Sequence, residues 1–144
     1  MNATTQTINT HNGTIFGKLS TNSYLSMGST TNTNVTVSLF DQNGYNPNDA
    51  YINAYSSNGN STLAINGTAL RDDVYVTVDG KYSQLILPLD YTGKFGVTAR
   101  KSGVAVLDVE KNDPIVRKGP GKIRNTDDEA DPYDDKIAWF WDSN

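Results

Sequence analysis

The sequence predicts an all-β sandwich, and three observations carry that expectation. Short runs alternate apolar and polar residues, turn-forming residues recur between them, and the abundance of Asn and Thr is poor material for long helices. At 144 residues the chain has room for one compact domain and an appendage. Hydrophobic residues make up 36%, against about 45–50% in average globular domains, so the core is expected to be thin.

The elements follow in order. Residues 1–12 are mostly polar around Ile8 and read as a flexible N-terminal arm or as a strand that needs a partner. Strands are expected at Thr14 to Leu19 and Ser23 to Met27, with a loop from Gly28 to Thr33. In NVTVSLF, Val35, Val37 and Leu39 share one face while Thr36 and Ser38 share the other. The turn DQNGYNPND then breaks the chain. In the next strand, Ala50 to Ser57, Ile52 and Ala54 oppose Tyr51, Asn53 and Tyr55. Asp79-Gly80 sits between two β-rich runs and predicts a type I′ hairpin joining strands at 73–78 and 82–88. Two further alternating runs, Lys94 to Lys101 and Val104 to Glu110, bring the total to about seven to nine strands at sandwich spacing. The sandwich is thus expected over residues 13–112. Beyond Asn112 the composition changes: DPIVRKGPGKIR is basic, DDEADPYDD is acidic, and KIAWFWDSN ends in adjacent aromatics, so residues 113–144 read as an extended, charged C-terminal arm.

Charge and composition exclude several function classes. A net charge of −4 and a pI near 4.7 oppose a nucleic-acid or anionic-membrane partner, since phosphate binding needs clustered Lys and Arg. With no cysteine there is no disulfide and no thiolate nucleophile or ligand. Neither a secretory signal nor a segment long and apolar enough to span a membrane is recognised, so synthesis in a cytoplasm is expected.

Residues 34–104 resemble the bacterial immunoglobulin-like modules of the invasin and intimin type. The likeness lies in NVTVSLFDQNG, DAYINAYSSNGN and DGKYSQLILPLDYTGKFGVTARKSGV, taken as strand and turn, alternating strand, and a closing series with a Thr-Gly turn. The resemblance implies an immunoglobulin-like β-sandwich, with Ala99 as the small residue where its sheets approach. It also implies use as a spacer or contact domain, as in adhesins and in phage tail and capsid proteins. The chain departs from the adhesin pattern in having no tandem repeats and in its C-terminal arm.

No catalytic constellation is recognised: the single histidine, His11, lies in the N-terminal arm without a nucleophile nearby, and an enzyme is not expected. Asp41, Asn43 and Asp49 offer hard oxygen ligands on a tight turn and form a candidate calcium site, the plainer alternative being an Asx-capped turn; no other cofactor is expected. Tyr45, Tyr51, Tyr55, Tyr75, Tyr82 and Tyr91 support sugar binding or, more plainly, cross-strand packing. Ile137, Trp139, Phe140 and Trp141 need a docking surface, on the chain's own domain or on another subunit, and Arg117, Lys118, Lys122 and Arg124 are candidates to steer that contact. The resulting expectation is a phage or virus structural protein, an accessory capsid decoration protein or small tail component. It would reside in the virion, self-associate, and dock on other virion proteins such as a major capsid protein. The alternative is a carbohydrate-binding adhesin or fibre module.

Overall fold

A computed structural model of the chain describes residues 2–39, 50–66, 74–88, 91, 94–109, 115–119, 121–125 and 137–140. Ten strands run in chain order: β1 (Asn2–Thr10), β2 (Thr14–Ser29), β3 (Asn32–Leu39), β4 (Ala50–Ser56), β5 (Asn60–Asn66), β6 (Val74–Leu87), β7 (Lys94–Val109), β8 (Ile115–Lys118), β9 (Gly121–Asn125) and β10 (Ile137–Phe140). No helix occurs among the described residues, and none there could cross a membrane.

The expected all-β class holds, but the immunoglobulin-like sandwich does not. The strands pair in parallel from β1 to β7 and wind into a β-solenoid of about four turns. Two stacks form its walls. In the first, Thr5–Thr10 of β1 lies beside the second half of β2, then β4, then the first halves of β6 and β7. In the second, the first half of β2 lies beside β3, then β5, then the second halves of β6 and β7. A sandwich of consecutive hairpins would need antiparallel neighbours, and among the described residues none occurs before β8.

Alternation located β2, β3, β4, β6 and β7 because each inward residue meets the interior of the coil whichever partner its strand has, whereas β5 was not expected from the sequence. Down the first stack the interior columns read Leu25, Ile52, Val76, Phe95 and Met27, Ala54, Val78, Val97, Ile123. Down the second they read Val35, Leu63, Leu85, Leu107 and Val37, Ile65, Leu87. All of these side chains are buried. One ladder of like on like per position builds the core, and each rung packs mainly on its neighbours.

The Asp79-Gly80 hairpin is a second correction. β6 continues through these residues from one stack to the other, and among the described glycines positive φ is confined to Gly17 (140°) and Gly119 (97°). A type I′ turn needs positive φ at both central residues, so Asp79-Gly80 is a corner instead. Of the two readings of the N-terminal segment, a flexible arm or a strand in need of a partner, residues 2–10 take the second: they form β1, whose Thr5–Thr10 open the first stack.

Each rung passes from the first stack to the second through a tight corner, and hydroxyls tie the corners together. Ser29 Oγ donates to the Gly13 carbonyl and Ser56 Oγ to the Thr31 carbonyl, both reaching back one rung. Thr33 Oγ1 donates to the Tyr55 carbonyl (3.1 Å), Ser61 Oγ to that of Asp79 (2.8 Å) and Ser83 Oγ to that of Thr98 (2.6 Å), all reaching forward one rung. Buried Ser and Thr are tolerated because each hydroxyl donates to a carbonyl at or beside a corner. Gly59 is required at this corner, since a Cβ there would lie 1.7 Å from the Thr31 carbonyl oxygen.

The last strands reverse the winding. β8 pairs antiparallel with the second half of β7, and β9 with the first half, so the chain recrosses the corner in the opposite sense at Gly119, whose N–H donates to the Gly103 carbonyl (2.8 Å). Ile123 is buried over Val97, and β10 pairs antiparallel with β9. The described part of the segment expected to be an extended arm is therefore sheet.

Candidate functional surfaces

Outward positions of a solenoid stack recur rung after rung, so short sequence patterns become rows along the axis. On the first stack, Tyr24, Tyr51 and Tyr75 lie at adjacent register positions and Lys94 continues the row. The rings of Tyr51 and Tyr75 are 6.2 Å apart and inclined at 57°. These tyrosines are 40%, 47% and 40% exposed. A second row, two residues along each strand, is short and polar: Ser26, Asn53, Thr77 and Gly96, with Thr77 Oγ1 donating to Asn53 Oδ1 at 2.7 Å. A third row holds Gly28, Tyr55, Asp79 and Thr98. The Tyr55 ring lies over Gly28, where a Cβ would fall 2.2 Å from the ring. Asp79 accepts both guanidinium contacts of Arg100, with Arg100 Nε to Asp79 Oδ1 at 3.0 Å.

At the corner end of this face lies an open recess of about 600 Å³, lined by Asn9, His11, Thr30, Tyr55 and Ser57 among others. His11, expected in a flexible arm, thus sits in the corner between β1 and β2 beside a tyrosine.

The N-terminal end of the solenoid is a second surface. The outer edge of β1 and most of the first half of β2 have no strand partner among the described residues. Ile8, Ile15 and Leu19 pack on the core from this side but remain half-buried, and Phe16 is 81% exposed. Gln6 donates its amide to the Ser20 carbonyl (2.9 Å), while its Oε1 is buried without a partner.

No family model matches the chain, nor does any curated protein or solved structure. The surfaces must speak through their chemistry.

Of the residues picked out in the sequence, Tyr51, Tyr55 and Tyr75 come together on one face. Tyr82 lies on the second stack and Tyr91 is buried, its hydroxyl donating to the Lys94 carbonyl (2.6 Å), with burial raising its pKa well above the ordinary tyrosine value. Tyr45 lies outside the described residues, as do Asp41, Asn43 and Asp49 of the calcium candidate and Trp141. Among the described residues no group of three or more acidic, His or Cys side chains could hold a metal. Arg117 and Lys118 fall in β8, Lys122 and Arg124 in β9, and Ile137, Trp139 and Phe140 in β10, where Trp139 is in register with Ile123. Tyr24 and Phe16 were missed. Tyr24 lies in a strand whose parallel partner is far away in sequence, and Phe16 sits on the outward face of its strand, in register with the exposed Asn34.

Proposed function

We propose that the chain is a structural protein of a phage or virus particle, a short β-solenoid module that associates with a second copy of itself through its N-terminal rung and so takes its place among other virion subunits. One observation supports this reading: among the described residues, nothing covers the N-terminal end of the core. Edge strands of β proteins are normally guarded by charge, proline or a covering element, yet β1 (NATTQTINT) contains neither a charge nor a proline. Beside it stand the exposed Phe16, the half-buried Ile8, Ile15 and Leu19, and the side-chain Oε1 of Gln6, which lacks a donor. Solenoids require terminal caps for solubility. An isologous contact, β1 against β1 of the second copy, would pair both edges and bury both apolar ends at once.

Sedimentation velocity over a range of concentrations tests the contact. A dimer is expected, with Phe16→Glu and, separately, Thr7→Lys each weakening it by about tenfold or more, equivalent to ~1.4 kcal/mol. A strictly monomeric wild type, or variants that dimerise unchanged, would overturn the reading. The particle assignment has its own check: genes for a capsid protein, portal or tail tube beside this one support it, whereas a secretion system there refutes it.

A further inference from the structure

We propose that the outer face of the first stack is a binding trough for an extended neutral polysaccharide lying along the solenoid axis. The trough exists only because of the rung-to-rung register. One wall is the row Tyr24, Tyr51, Tyr75; the floor is the row Ser26, Asn53, Thr77; the other wall is Tyr55, laid over Gly28, followed by the Asp79–Arg100 pair. Gly96 keeps the floor low at the far end. Near the start, the recess of Asn9, His11, Thr30 and Ser57 opens beside Tyr55.

The chemistry of the walls and floor selects the occupant. Pyranose rings carry C–H faces that stack on aromatic rings and hydroxyl edges that exchange hydrogen bonds with short polar side chains. The face offers both, in parallel rows, with amphipathic tyrosines in place of aliphatic anchors. The charges at its border are largely committed, since Asp79 and Arg100 neutralise each other, so an anionic or cationic chain gains little over a neutral one. The repeat also fits: rungs advance by about 4.8 Å, close to the advance per sugar of an extended β-1,4-linked chain, so successive sugars meet chemically similar rungs. A peptide partner is disfavoured because every strand in the middle of this stack already has both neighbours, leaving no edge to augment.

Isothermal titration with hexamers of β-1,4-linked glucose, mannose and xylose, backed by a neutral-glycan array, tests the inference on the full chain. At least one hexamer or array glycan is expected to bind, and its dimer to bind at least tenfold more weakly. Tyr51→Ala and Tyr55→Ala should each weaken binding about tenfold, ~1.4 kcal/mol, without lowering the melting temperature, because both rings point outward. Tyr51→Phe should retain most of the affinity through its ring. Phe16→Glu, on the other stack, should bind like wild type, which separates this result from any effect on self-association. The inference falls if no neutral glycan binds, if binding is indifferent to chain length, or if the tyrosine variants bind as wild type. It also falls if they instead abolish association with a protein.

Discussion

The two ends of the solenoid are finished in different ways. At the C-terminal end the chain turns back, and β8 and β9 form a reversed rung that buries Ile123 on Val97 and carries Arg117, Lys118, Lys122 and Arg124 along its strands. At the N-terminal end the rung runs in the same sense as all the others, its strand β1 is uncharged, and its apolar residues are half covered. A parallel coil can accept another rung unless a change of direction, a charge, a proline or a covering element stops it. Among the described residues, then, a reversed rung lies over one end of the core and none lies over the other, which is the end the proposed self-association would cover.

Truncating the core at each end should separate them most clearly. Ile123→Ala removes a fully buried side chain and should cost about 2–5 kcal/mol, read as a shift of the urea midpoint. Ile8→Ala at the open end should cost about 1 kcal/mol or less in the monomer, since only part of its surface is buried. Equal losses would mean that the open end is as well covered as the closed one. Hydrogen exchange sharpens the same contrast: amides of β1 should exchange well before those of β4 and β6, and uniform protection would refute the difference.

The middle rungs supply the next largest effect. Ser56→Ala deprives the Thr31 carbonyl of its hydroxyl partner and the Gly59 N–H of its acceptor (3.0 Å), and should destabilise by about 1–3 kcal/mol in thermal melts. The equivalent change at Thr31, which shares the Gly13 carbonyl with Ser29 near the open end, should cost less because one donor remains.

Tyr91 gives a pH-dependent signature. Burial, and secondarily Tyr75, raise its pKa well above 10.0 in the folded chain, so the fold favours the protonated phenol. That stabilisation is complete below the unfolded value near 10 and is lost as pH rises through the folded pKa. Chemical denaturation at rising alkaline pH should therefore show a decline that is shallower in Tyr91→Phe, and an identical decline would refute the assignment. The smallest effect belongs to the Asp79–Arg100 pair. With side chains 44% and 29% exposed for Arg100 and Asp79 respectively, it should contribute about 0–1 kcal/mol in a double-mutant cycle, and a larger coupling would show that the pair supports the corner.

The sequence by itself determined that the chain is all-β, where β2, β3, β4, β6 and β7 lie and which of their residues face inward. Period-two alternation at Val35, Val37, Ile52, Ala54, Val74, Val76 and Val78 encodes burial locally, one residue after another. Three of the face's four exposed tyrosines were legible as surface groups for the same reason. The pairing of the strands was left to the tertiary structure, because an inward-facing strand satisfies its alternation equally well in an antiparallel sandwich and in a parallel coil. The turns have unequal lengths, with Tyr24 beside Tyr51 but Tyr75 beside Lys94, so no fixed repeat announces the coil. Only the stacked register decides that Asp79-Gly80 is a corner, that Phe16 stands at an open end and that Tyr24, Tyr51 and Tyr75 share a wall. Those relations depend on which residues of distant rungs lie about 4.8 Å apart, a distance set by hydrogen bonds between rungs that leave no local trace in the chain.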